Sequence, residues 1–93
     1  MYGLYVKPDV DKIFKKLSLK NKSQLEIVFK KLNEIRLNPE HNYKSLRPPL
    51  HGFNRAHIDS SFVLIFKINH LTKNVELYYY AHHDDVYEWR PNE

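Results

Sequence analysis

No cysteine occurs in this 93-residue chain. That excludes a disulfide framework and a thiolate zinc site, and it fits a reducing cytosol. No stretch reaches the ~18 consecutive apolar residues of a membrane span. No signal-peptide pattern opens the chain, because Met1-Tyr-Gly-Leu-Tyr-Val reads as a strand that begins at once. A cytoplasmic protein without a membrane contact is therefore expected. Repeats, linkers and low-complexity segments are also missing, which leaves one domain over residues 1–93. A domain of this length buries roughly 60–70% of its unfolded surface, enough for one modest core.

What is present sets a class. Hydrophobic residues make up 42% and aromatic residues 14%, and such a chain offsets its ordering entropy by burial rather than staying disordered. Seven tyrosines and five phenylalanines suit strands, and they also suit stacking on bases. The net charge of +4 points to a nucleic acid, an anionic surface or an acidic protein as partner.

Tyr2 to Val6 alternates and predicts a strand over 2–6. Pro8 and Asp9 suit the first turn of a helix, through the fixed proline φ and the helix dipole. Val10, Ile13, Phe14 and Leu17 follow at helical spacing. Residues 18–21 read as a break, and Asn21 or Ser23 is placed to cap a second helix. Leu25, Val28, Phe29, Leu32 and Ile35 form its stripe, and Asn38-Pro39 ends it. A helical hairpin over about 8–38 results. Its basic residues Lys30, Lys31 and Arg36 read as a wet face. Residues 39–52 are a basic loop with His41, Lys44, Arg47 and His51. From Phe53 the period becomes two, giving strands over 53–59, 62–68 and 75–82, then a helical turn over 84–89. The fold class is α+β, in the order β-α-α-β-β-β. The helical hairpin packs on one face of a mostly antiparallel sheet and leaves the other face partly open.

Strand alternation assigns the chemistry. Ala56 and Ile58 belong with the helices, so Arg55, His57 and Asp59 share the opposite face. A cation, an imidazole and a carboxylate in a row suit phosphate binding and acid–base work, although a solvated strand face is the plainer account. His82-His83-Asp84-Asp85 invites a metal. Neighbours on an extended strand diverge, however, and His-Glu-x-x-His is missing, so no metal and no cofactor are expected. One of the two histidines should face the open side, and the aspartates should cap the following turn. Tyr79 falls on the face of Val75 and Leu77 and reads as core packing.

These pieces together resemble the RelE/ParE toxin superfamily along nearly the whole chain. The resemblance rests on Pro49-Leu-His-Gly-Phe-Asn-Arg-Ala-His-Ile-Asp59, on Phe62-Val-Leu-Ile-Phe-Lys-Ile68 and on His82-His-Asp-Asp-Val-Tyr87. Within the superfamily the chain is most similar to the YafQ-like branch, whose members use histidines where RelE proper uses lysine and arginine. RelE-type toxins commonly carry an arginine in the aromatic strand, where this chain has Val63. The resemblance implies a ribosome-dependent mRNA endoribonuclease that needs no metal and is silenced by a RelB-like antitoxin in a heterotetramer. It implies attack of the RNA 2′-hydroxyl on its own phosphate, with His57 and His83 as acid and base in an order left open. Arg55 would hold the phosphate, Tyr87 would orient it or stack on a base, and Asp59 would support. Lys44, Arg47 and Lys67 would touch RNA backbone. Two competing functions share the fold: a ParE-like gyrase poison without catalysis, and a degenerate antitoxin- or RNA-binding module, which Val63 keeps open.

Overall fold

The structure, a computed structural model, describes residues 1–91. The elements are β1 (Gly3–Val6), α1 (Pro8–Lys20), α2 (Lys22–Leu37), β2 (Lys44–Ser45), β3 (Asn54–Ile58), β4 (Phe62–Asn69), β5 (Asn74–His82) and α3 (His83–Val86). One five-stranded sheet runs in the order β1-β5-β4-β3-β2. β1 lies parallel to β5 and the remaining pairs are antiparallel. This is the expected α+β arrangement, with one addition. The loop over 39–52 contains a two-residue edge strand, β2, too short to leave a periodicity in the sequence.

The hairpin turns more tightly than the residue pattern suggests. Instead of a break over 18–21, α1 continues to Lys20 and Asn21 alone separates the helices. The backbone N–H of Asn21 donates to Leu17 O, closing α1, while its side chain accepts from Gln24 N and opens α2. One residue thus serves both helix ends, satisfying groups that would otherwise be orphaned. Arg36 is more than a wet-face residue: its Nε donates to Tyr2 O at 2.8 Å, fastening the N-terminal segment to the end of α2.

Two apolar layers sandwich the sheet. On the helix side, Val10, Phe14, Val28, Leu32 and Ile35 pack against Ile58, Leu64, Phe66, Val75, Leu77 and Tyr80. Full burial of each such aliphatic side chain stabilises by about 1.5–3 kcal/mol, and truncating the fully buried Leu32 to alanine would cost about 2–5 kcal/mol. Among the described residues a polar pair interrupts this layer. Tyr80 Oη donates to Gln24 Oε1 at 2.8 Å, and both residues are buried. The opposite face is less open than expected. Leu46, Leu50, Phe53, Val63, Ile65 and Val86 form a second buried cluster there, flanked by Tyr78, Tyr79, Ala81 and Trp89. The loop before β3 and the segment after β5 fold over the sheet to make it. Gly52 has φ +92°, which lets the chain turn and deliver Phe53 into this cluster.

An irregularity in β5 decides which face its tyrosines take. Ile65 pairs with Tyr79 but Phe66 pairs with Leu77, so Tyr78 is an extra residue. A bulge of this kind inverts the alternation beyond it. Tyr79 therefore lies on the second face, stacked on Trp89 at 5.6 Å and 11°, and not with Val75 and Leu77. Tyr80 takes the core position instead.

Candidate active site

The second face carries the polar residues that the sequence singled out on β3. Across the sheet, Lys44 pairs with Arg55, Arg55 with Ile65, and Ile65 with Tyr79. The adjacent row is His57, Val63 and Ala81. Directly paired residues share a face, so Lys44, Arg55 and His57 stand on the side of Val63 and Ile65. That is the face the alternation assigned to Arg55 and His57. With two residues per pleat, Arg55 and His57 lie about 7 Å apart along β3.

Asp59 does not complete this row. The strand ends at Ile58, and Asp59 adopts φ +56° in the turn that follows. A short polar residue tolerates that conformation. Once the extended backbone ends, alternation no longer governs the side chain. The charge of Asp59 instead acts on Tyr80 of the helix-side core. Burial first and that charge second push the Tyr80 phenol well above its ordinary value of 10.0.

The C-terminal segment folds back over the same face. Val86 of α3 is fully buried in the second cluster, and this anchor brings Tyr87 over β3. Arg55 Nη1 donates to Tyr87 Oη at 2.9 Å. The pair lines a cleft of about 460 Å³ together with Ser45, Leu46, Arg47, Pro48, Pro49, Leu50 and Arg90. Three guanidinium groups therefore line one cleft, and none of its described lining residues is acidic. Such a cleft attracts an oxyanion, and planar arginines bind phosphate oxygens through paired N–H groups. Arg90 was not singled out from the sequence. Its Nη1 donates to the carbonyls of Tyr87 and Trp89 at 2.9 and 2.7 Å, which closes the end of α3. A basic residue three positions beyond a motif tyrosine was the available signal.

Of the two histidines, His57 is exposed beside Arg55, and His83 is exposed at the start of α3. Among the described residues, no hydrogen bond or ring contact joins them. Two strand spacings separate His57 from Ala81, about 10 Å, and His83 follows two residues later. The backbone N–H of His83 donates to Ser61 O at 2.8 Å, tying the start of α3 to the β3–β4 turn. The structure thus brings Arg55 and Tyr87 into contact with His57 two residues along β3, while His83 sits at the start of α3 against His82 and Asp84. Arg47 lines the cleft and Lys44 stands next to Arg55. Lys67 lies apart, its Nζ over the rings of Phe53 at 4.3 Å and Tyr78 at 5.6 Å. That assigns it to the Val63/Ile65 face, with its charge resting on aromatic surface.

The geometry that separated His82 from His83 on paper does not hold. His82 is the last strand residue (φ −57°, ψ 145°) and His83 the first of a helix, so the two side chains are not opposed as they would be within a strand. Their ring centroids are 4.8 Å apart. His82 also does the capping expected of the aspartates: its Nδ1 accepts from Asp84 N at 3.2 Å. Its ring packs edge-on against Phe62.

The domain thus gathers three arginines and a tyrosine at one cleft, with His57 on the same sheet face. No protein-family profile matches the chain. A protein of Methanocaldococcus jannaschii described as "Putative toxin RelE4" is 46% identical over 88 residues, covering 95% of this chain and 93% of its own length. The chain belongs to the RelE toxin family, within the RelE/ParE superfamily. Solved structures share the fold at low identity. The toxin fold in the YoeB–YefM complex of Staphylococcus aureus superposes with a TM-score of 0.75 at 15% identity, covering 89% of this chain and 98% of that one. A YafQ mutant of Escherichia coli gives 0.68 at 16% identity, covering 94% and 99%. The fold does not favour the YafQ branch over its neighbours.

Proposed function

We propose that this chain is the toxin of a type II toxin–antitoxin system and that it cuts RNA, as a metal-independent endoribonuclease acting on message bound to the ribosome in the cytoplasm. The observation that carries this reading is the Arg55–Tyr87 pair, held at 2.9 Å in a cleft lined by Arg47, Arg55 and Arg90 with no acid among its described residues. Membership of the RelE family supports it.

In this reading the scissile phosphate lies against the arginines. A base removes the proton of the ribose 2′-hydroxyl, and the freed oxygen attacks its own phosphorus. The P–O5′ bond breaks, and the departing 5′-oxygen takes a proton from an acid. The products are a 2′,3′-cyclic phosphate and a 5′-hydroxyl. His57 and His83 supply the base and the acid, since imidazole exchanges protons near neutrality. Arg55 neutralises the charge that grows on the phosphorane, Arg90 and Arg47 add to the positive field, and Tyr87 aims Arg55. Lys44 and Lys67 hold flanking backbone phosphates, and Asp59, turned out of the row, has no part. Three guanidiniums at the cleft supply the cationic help that an arginine at Val63 would otherwise give.

The partner is a RelB-like antitoxin, in a heterotetramer, that covers the basic cleft. The toxin structure in the YoeB–YefM complex supports a partner of this kind. Ile27 and Phe29 on α2 and Tyr5 on the edge strand β1 are exposed apolar side chains for it to cover.

The test is cleavage of translated mRNA by the His57→Ala and His83→Ala variants in the presence of chelator. Each should lose on the order of 10²–10⁴-fold. If both variants cut like the parent, the assignment fails. Arrested growth with intact message and broken DNA would instead favour a gyrase poison, and neither effect would favour a binding module.

A further inference from the structure

We propose that His82, His83 and Asp84 form a binding site for a divalent transition-metal ion such as Zn²⁺ or Ni²⁺, and that its occupation switches the chain off by engaging His83. The second half of this inference rests on the function proposed above; the first half does not.

The donors are already gathered. One ligand atom from each of the three residues lies within 4.8 Å of the others. Asp84 bridges the two histidines, with Oδ2 3.4 Å from His82 Nδ1 and Oδ1 3.2 Å from His83 Nε2. A tetrahedral ion with bonds of about 2.0–2.1 Å needs donors about 3.3 Å apart. Both separations are of that order although they involve different oxygens of Asp84, so a small rotation of the carboxylate and of the histidine rings brings one oxygen and both imidazoles onto the ion, with His82 Nδ1 exchanging the Asp84 N–H for it. Two imidazoles and one carboxylate suit Zn²⁺ or Ni²⁺, whereas Mg²⁺ and Ca²⁺ prefer all-oxygen sets. Three protein ligands leave a fourth position for water.

The cause is the strand-to-helix junction. Within a strand His82 and His83 would project to opposite sides. The turn into α3 puts both rings and the following carboxylate at one corner, and the Ser61 carbonyl holds that corner through His83 N. His82 and Asp84 have no part in the proposed RNA chemistry, so the cluster is not accounted for by it. The ligand the site shares with that chemistry is His83. An imidazole whose lone pair is given to a metal no longer carries a proton to or from the substrate.

Zn²⁺ titrated by calorimetry into the purified chain, without RNA, should show one bound ion. His82→Asn retains a capping side chain at the head of α3 and removes a ligand, and Asp84→Asn removes another. Both variants should lose the ion, and His82→Asn, which leaves the Asp84–His83 contact in place, should keep the parent's cleavage in chelator. Saturating Zn²⁺ should then slow the parent on the order of 10²–10⁴-fold, the loss expected of His83→Ala, and leave His82→Asn active. No uptake by the parent, or equal uptake by His82→Asn, overturns the site. Uptake with undiminished cleavage overturns the switch. If the parent cuts no RNA at all, the switch falls together with the proposed function, while the titration still decides the site.

Discussion

The Arg55–Tyr87 contact gives the sharpest test of how the cleft works. Tyr87 is 40% exposed, and its Oη accepts one hydrogen bond, from Arg55 Nη1. Tyr87→Phe removes that acceptor and leaves the ring in place. An exposed hydrogen bond contributes little to folding, so unfolding in urea should shift by less than about 1 kcal/mol. The effect on cleavage should be larger. If Arg55 donates charge-assisted hydrogen bonds to the phosphorane, removing it as Arg55→Met costs about 1.5–3 kcal/mol of transition-state stabilisation. That is about 10- to 150-fold in kcat/KM. If Tyr87 acts by aiming Arg55, the double variant should be no slower than Arg55→Met alone, because the two losses are one loss. The assay is single-turnover cleavage of a defined RNA by parent, both singles and the double. Fully additive penalties would show that Tyr87 touches the substrate independently. Parent-like rates in Arg55→Met would remove the cleft from the chemistry altogether.

Other consequences are checked more briefly. Tyr80→Phe leaves the buried Gln24 Oε1 without its donor and should cost about 1–3 kcal/mol by urea unfolding, with leucine at position 24 in the same chain recovering part of it. The raised Tyr80 value has an alkaline signature. Its folded value exceeds that of the unfolded chain, so its contribution is intact below about pH 10 and is lost as pH rises through the folded value. Stability should fall above that pH, and less steeply in Tyr80→Phe. Some slope remains there, because burial and the Glu34 charge also raise Tyr43. Arg90→Ala should weaken single-stranded RNA binding and reduce the magnitude of the salt slope by about 0.7 if Arg90 meets one phosphate; an unchanged slope would remove it from the RNA path. Gly52→Ala forces a side chain onto φ +92° and should cost about 1–3 kcal/mol, read as a lowered thermal midpoint.

The sequence by itself determined the two long helices, the four longer strands and their order. Apolar spacing of 3.6 over 10–17 and 25–35, then of two beyond Phe53, is local information, and helices and strands are local answers to it. It also placed Arg55 and His57 on one face, because a regular strand carries its alternation from residue to residue. Each failure came where regularity stops. Asp59 turned away at the end of β3, Tyr79 changed face at the bulge around Tyr78, and His82 met His83 where a strand became a helix. The two-residue β2 and the second apolar cluster arise from pairing and packing between segments far apart in the chain. No local period announces contacts of that kind. The bond between Arg55 and Tyr87 spans 32 positions, and the neighbouring Val86 is anchored in the second buried cluster. Which cations share a cleft, and which histidine pairs with a carboxylate, were therefore decided by the tertiary structure, since burying Val86 fixes where the residues around it come to lie.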